Sequence, residues 1–205
     1  MPTVPLRLVG APGSPYSRKL CAVLRYRRIA HAWLTVGAPE TAGLPAPKVN
    51  LLPQLIVVDA AGRPQALTDS TPLIRRLEAE HAGRAVVPPD PVLAFVDALL
   101  EDYADEWLTK AMFHYRWAYP ADVANAAAIL PRWFRTDQPE AAARAAGQAF
   151  AERQIGRLRV VGSNPLTAPV IEASYRRLLG LLDAHLTGSR FVLGGRPASA
   201  DFALY

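Results

Sequence analysis

Apolar and polar residues follow two rhythms along this chain. Up to about residue 90, short apolar runs alternate with helical spacing; beyond it only the helical spacing persists. Residues 6–9 read as a short strand, and Pro12, Gly13, Ser14 and Pro15 form a turn cluster. Over residues 16–29, Leu20, Val23 and Leu24 recur at helical spacing with Cys21 beside them. Residues 32–36 read as a second strand, so the chain opens with the strand–helix–strand unit that makes a parallel pair. Residues 37–50, rich in Pro, Ala and Gly, read as a loop. Gln54–Val58 is a buried strand headed by Pro53, and residues 65–67 return across a turn at Asp59–Gly62 to make a hairpin. Asp69-Ser70-Thr71-Pro72 starts a helix, with Ser70 or Thr71 as cap, Pro72 at the first helical position, and Gly83 as the stop.

After Val87-Pro88-Pro89-Asp90-Pro91 no strand signal survives. Residues 91–117 predict one long amphipathic helix with Val92, Phe95, Val96, Leu99 and Tyr103 on one stripe. Residues 121–130, 139–160 and 165–186 predict three more helices. The fold class is therefore α/β followed by all-α. The boundaries run 1–84 for the mixed domain, 85–90 for the linker and 91–205 for the helical domain.

Composition and charge narrow the function. No run of 18 apolar residues suggests a membrane span, and the N-terminus lacks the layout of a signal peptide. The single cysteine, Cys21, cannot make an intramolecular disulfide and reads as a core residue. No Cys/His set has metal-ligand spacing, and the four histidines read as structural. Glu101, Asp102, Asp105 and Glu106 read as a solvated helical face, and Arg25 to Arg28 as a helix end. Residues 1–90 hold 11 Lys/Arg against 6 Asp/Glu, whereas residues 91–205 are balanced at 12 each. The basic half does not interleave with aromatics, so nucleic acid is the weaker partner and a small anion the stronger.

The chemistry concentrates at Ser14-Pro15-Tyr16-Ser17. A strand, a turn and this motif opening a helix make a thioredoxin-like arrangement, with serine at both positions where a redox protein carries cysteine. Dithiol exchange is excluded there, because no thiolate can attack. What remains is a hydroxyl at a helix N-terminus, where N–H groups and the dipole favour an anion.

Gly13-Ser14-Pro15-Tyr16-Ser17-Arg18-Lys19-Leu20 resembles the opening motif of the glutathione transferase superfamily. Leu52-Pro53 ahead of a strand resembles its cis-proline, and Asp69-Ser70 its acidic-Ser pair. The segment from Phe191 to Pro197, followed by Ala200-Asp201-Phe202, resembles its helical-core motif. The resemblance implies that Ser14, with Ser17 as the alternative, donates a hydrogen bond to the glutathione sulfur. It implies that Leu52 pairs with the cysteinyl backbone beside a cis Pro53. Asp69 and Ser70 would hold the γ-glutamyl end, and Lys48 is the candidate for the glycyl carboxylate. Tyr16, Tyr103, Trp107 and Tyr115 are the candidate acceptor-pocket residues.

The resemblance further implies a cytoplasmic homodimer that takes glutathione as co-substrate and conjugates or reduces a small electrophile. A non-catalytic glutathione-fold binding module is the alternative. Three departures from the family pattern stand out. Ala198 occupies the usual Ser/Thr capping position, with Ser199 one later. Residues 118–165 are longer than the usual connection. The chain stops at Tyr205, inside a helix beyond which the family continues.

Overall fold

The computed structural model describes residues 5–134 and 137–204; the expectation placed on Tyr205 lies outside them. β1 (Leu6–Gly10), α1 (Pro15–Tyr26) and β2 (His31–Thr35) form the parallel unit, with Leu8 opposite Trp33. β3 (Gln54–Val58) pairs antiparallel with the other edge of β1, and β4 (Pro64–Thr68) completes the hairpin, giving the order β2-β1-β3-β4. The period of two sorts the side chains between the faces. Leu8, Leu55 and Val57 meet Leu20, Leu24, Ile74 and Leu77 from α1 and α2 (Ser70–Glu80). Val9, Ile56 and Ala66 face the other way, under Leu34, Val36 and Leu52.

α1 ends three residues before the expected limit. Arg28 adopts φ 58, in the left-handed region, and the Ile29 N–H donates to the Leu24 carbonyl at 3.0 Å. This reversal returns Ile29 to the core. Arg27 is buried rather than solvated at the helix end: it pairs with Glu78 at 2.8 Å and also donates to the His81 carbonyl. α2 starts at Ser70, not Pro72, because the cap is Asp69, whose carboxylate accepts from the Thr71 N–H.

The rest of the chain is helical: α3 (Pro91–Tyr103), α4 (Thr109–Trp117), α5 (Pro120–Ile129), α6 (Glu140–Ile155), α7 (Ala168–Gly188) and α8 (Ser199–Leu204). α5 and α6 cross tightly at Gly147, where a Cβ would stand 2.3 Å from the Ala127 carbonyl oxygen. The long helix expected over residues 91–117 is interrupted by a π-helical stretch at Ala104–Leu108. The Asp105 carbonyl there accepts from the Tyr16 hydroxyl at 2.8 Å and the Thr109 hydroxyl at 2.9 Å. The widened turn is thus stabilised by a side chain from the first domain.

The apolar stripe of α3 points away from the fold. Val92 and Phe95 are each 68% exposed and Leu99 56%, while Asp97, Glu101 and Ala104 are buried. The first domain and α8 claim that polar face. The Asp97 carboxylate accepts from the Ser199 hydroxyl and, at 2.8 Å, from the Ala200 N–H. It caps α8 from outside the helix, which answers the missing Ser/Thr at Ala198. Asp201 accepts from the Val192 and Ala198 N–H groups at 2.9 and 2.8 Å, and Phe202 packs on Tyr26. α8 is therefore the pin between the domains, against α1 on one side and α3 on the other.

Candidate functional site

The N-terminus of α1 is built by its own sequence. Ser14 is the N-cap in extended backbone, and its Oγ accepts from the Ser17 N–H at 3.2 Å. Pro15 has no N–H, and the Arg18 N–H goes to the Ser14 carbonyl. The Tyr16 N–H is left as the free backbone donor of that turn. The Ser14 hydroxyl uses a lone pair for the cap and keeps its proton to donate. Ser17 is placed differently. It is wholly buried, its Oγ accepts from the Ala11 N–H, and it packs against Gly10. The structure does not bring Ser17 to either cavity described below.

Leu52–Pro53 is a cis peptide and Pro53 is fully buried. Asp69 holds φ 78 and ψ 116, a conformation costly for a residue with a Cβ, and it presents Ser70 at the first position of α2. Strain of this kind persists where a site needs the geometry it secures. A cavity of about 520 Å³ gathers Tyr16, Leu51, Leu52, Asp69, Ser70 and Thr71 with Arg75, Glu101 and Asp105. The Ser70 hydroxyl has no hydrogen-bond partner among the described residues. Lys48 is exposed and does not line this cavity.

A buried ion network forms its floor. Lys19, only 2% exposed, reaches Glu101 at 2.7 Å, Asp105 at 2.5 Å and the Thr71 hydroxyl at 3.1 Å. Arg75 holds the other Glu101 oxygen at 2.5 Å. Two of the four acids expected on a solvated face are thus internal ligands of first-domain cations. Burial raises the Asp105 carboxyl above its ordinary pKa against the opposing pull of Lys19. Burial also raises the Tyr16 phenol, with Asp105 adding to the effect. Asp97 is raised by burial too, although the Ser199 and Ala200 hydrogen bonds oppose it.

A second cavity, about 550 Å³, opens on the other side of Tyr16. The period of α4 turns Thr109, Met112, Tyr115 and Arg116 into it, and that of α5 turns in Asp122, Asn125 and Ile129. Trp133 roofs it and lies directly on Gly13, where a Cβ would fall 1.5 Å from the indole ring. Gly13 is required there by close approach, not by its backbone angles. Of the aromatic candidates, Tyr16 and Tyr115 line this cavity. Tyr103 and Trp107 do not, and Trp107 is 60% exposed beneath Lys110. Ser14 lines neither cavity; it is partly exposed, next in sequence to Pro15 and Tyr16, which do.

Residues 8–85 match the family model described as glutathione S-transferase, N-terminal domain. Over those residues the chain is similar to a glutathione S-transferase N-terminal domain. Solved structures extend the likeness over the helical domain. FzlA from C. crescentus is 18% identical with a TM-score of 0.57, covering 98% of this chain and 75% of its own. A glutathione S-transferase from Rhodospirillum rubrum F11 is 16% identical with a TM-score of 0.53, covering 97% and 74%. The theta class glutathione S-transferase from Xanthomonas axonopodis pv. citri, solved with glutathione bound, is 20% identical with a TM-score of 0.51, covering 98% and 78%. At these identities the likeness shows the glutathione transferase fold. No curated protein matches the chain.

Sequence reasoning missed Lys19, Glu101 and Asp105 as a unit, and Arg116 and Trp133 as lining residues. One signal was readable in the first domain: Lys19 falls among Leu20, Val23 and Leu24 on the inward side of α1, where an unpaired lysine would be costly. Arg116 and Trp133 carried none, because helix packing alone places them. No helix among the described residues is long and apolar enough to cross a membrane.

Proposed function

We propose that this protein binds glutathione along Leu52, Asp69 and Ser70 and activates its thiol at the N-terminus of α1. It then transfers the sulfur to a small electrophile held in the cavity between α4 and α5. The observation that carries the reading is the convergence of the Leu52 backbone, the strained Asp69 and the available Ser70 hydroxyl on one cavity. The backbone at Leu52, just ahead of β3 and lining this cavity, suits pairing with a peptide. Ser70 at the start of α2 suits a carboxylate, and the acidic rim of Asp69 and Asp102 suits the γ-glutamyl ammonium. Glutathione bound in the Xanthomonas axonopodis structure supports the same partner here.

The Ser14 hydroxyl, the free Tyr16 N–H and the α1 dipole all favour a thiolate. A hydrogen bond to a charged group is worth roughly 1.5–3 kcal/mol, a thiol pKa shift of about 1–2 units. For a thiol near pKa 8.5, a shift of about 2 raises the thiolate at pH 7 from about 3% to about 75%. The thiol proton goes to solvent. The sulfur lone pair forms the C–S bond, and the leaving group departs with its bonding pair; in an addition, the new carbanion takes a proton from water. A cytoplasmic homodimer fits this reading, and the exposed stripe of Val92, Phe95 and Leu99 is the surface a second copy would cover.

One observation favours binding without turnover: Ser14 is a working N-cap and lines neither cavity. Glycine keeps most of an N-cap's stability and removes the hydroxyl. Ser14→Gly is therefore expected to bind glutathione while losing the thiolate absorbance at pH 7. An unchanged thiolate titration in that variant would refute the serine's role and favour the binding module.

A further inference from the structure

The acceptor cavity contains one cation with nothing to hold. Arg116 projects into it from α4, partly buried, and among the described residues it has no ion-pair or hydrogen-bond partner. Desolvation alone lowers its pKa; no neighbouring acid offsets that cost. The other charges do not explain it. Lys19 and Asp105 share the cavity but are spent on each other at 2.5 Å. Asp122, exposed at the start of α5, lines the same cavity and makes no ion pair with Arg116. Among the described residues, every other arginine that is buried or half-buried, such as Arg27 and Arg75, is tied to a carboxylate. A guanidinium left unpaired in a cleft is a cost that an anionic ligand would remove.

The surroundings define the rest of that ligand. Tyr115 and Tyr175 stand with ring centroids 5.5 Å apart, and Trp133, Met112 and Ile129 complete an apolar wall. Asn125 adds a neutral amide on the α5 side. Pro15 and Tyr16, beside Ser14, lie in the same cavity.

We propose that Arg116 is the specificity-determining residue of this cavity and that the acceptor is a flat, apolar electrophile carrying a carboxylate. The guanidinium pairs with the carboxylate by two parallel N–H···O bonds, while the apolar body lies against the tyrosines and Trp133. This deepens the transferase reading by naming its acceptor class, and it rests on that reading only for the word acceptor.

The test uses 3,5-dinitrobenzoate and its neutral counterpart 3,5-dinitrobenzamide, neither of which carries a leaving group for the thiol. Calorimetric titration of each is made into the full chain, with glutathione titrated separately. Wild type is expected to bind the benzoate at least about tenfold tighter than the amide. Arg116→Gln is expected to weaken the benzoate by about 10- to 100-fold and the amide far less. In wild type the preference also falls as salt rises, a readout that holds if the variant folds poorly. Equal affinities for the two probes in wild type, or the same ratio in a folded Arg116→Gln, overturns the proposal. Failure of glutathione to bind while the benzoate preference persists would sink the transferase reading and leave this inference standing.

Discussion

Lys19→Met tests whether the domains are joined by charge. The three donors of the Lys19 ammonium are taken by Glu101, Asp105 and Thr71, so nothing in the wild-type contact is wasted. Methionine keeps the unbranched length and removes the charge. Breaking a buried pair by deleting one partner costs about 3–5 kcal/mol, because the other charge stays buried. Here two effects soften the loss. Glu101 retains Arg75, and Asp105 retains Thr71. Asp105 is also 12% exposed and already raised toward protonation, so it can neutralise itself. The expected cost is therefore near the lower limit, about 3 kcal/mol. For a chain of this size that is about 6–12 °C in melting temperature.

The assay is thermal and urea unfolding at pH 7 of wild type, Lys19→Met, Asp105→Asn and the double variant. Removing the Asp105 charge together with the lysine charge leaves Glu101 and Arg75 as a neutral pair. The double variant should thus be more stable than the two single losses predict by at least about 1.5 kcal/mol. A loss under about 1 kcal/mol in Lys19→Met, or strict additivity, would show that the network is a bystander and that apolar packing around α8 holds the domains.

Two further outcomes follow from other parts of the fold. Asp97 and Asp105 both have raised carboxyls, so the folded protein binds more protons than the unfolded chain between the ordinary and raised pKa values. Their contribution to stability therefore falls as pH rises through the raised values and grows again as pH drops toward the ordinary carboxylate range. Asp97→Asn keeps an acceptor for the Ala200 N–H and is expected to flatten the stability–pH slope just above the ordinary carboxylate range; urea midpoints that vary with pH as in wild type would contradict this. Phe95→Asp, on the outward stripe of α3, should leave monomer stability within about 0.5 kcal/mol. The proposed homodimer predicts that wild type sediments as a dimer and this variant as a monomer; the same oligomeric state in both refutes that interface.

The local elements were legible because local rules write them. The parallel β1–α1–β2 unit, the β3–β4 hairpin and the start of α3 at Pro91 each follow from local sequence. The resemblance located the cis peptide at Pro53, and the structure has it. Limits moved where a backbone reversal intervened, as at Arg28 and Asp69, whose left-handed φ values no propensity for Arg or Asp foretells.

The α3 stripe shows where sequence reasoning stops. Amphipathic spacing says that Val92, Phe95 and Leu99 share a face, and they do; it does not say what that face meets. A helix buries whichever side gains most from its neighbours. The neighbours of α3 bring Lys19, Arg75 and the orphan N–H of Ala200. These groups lie far off in sequence, Lys19 and Asp105 being 86 positions apart. Their complementarity exists only once the two domains have docked. By itself, then, the sequence determined the α/β-then-helical order, the elements and the serine at the start of α1. The tertiary structure alone decided which acids are buried, which arginine is left unpaired, and that Trp133 closes over Gly13, because Coulomb pairing and close packing depend on distances that periodicity does not encode.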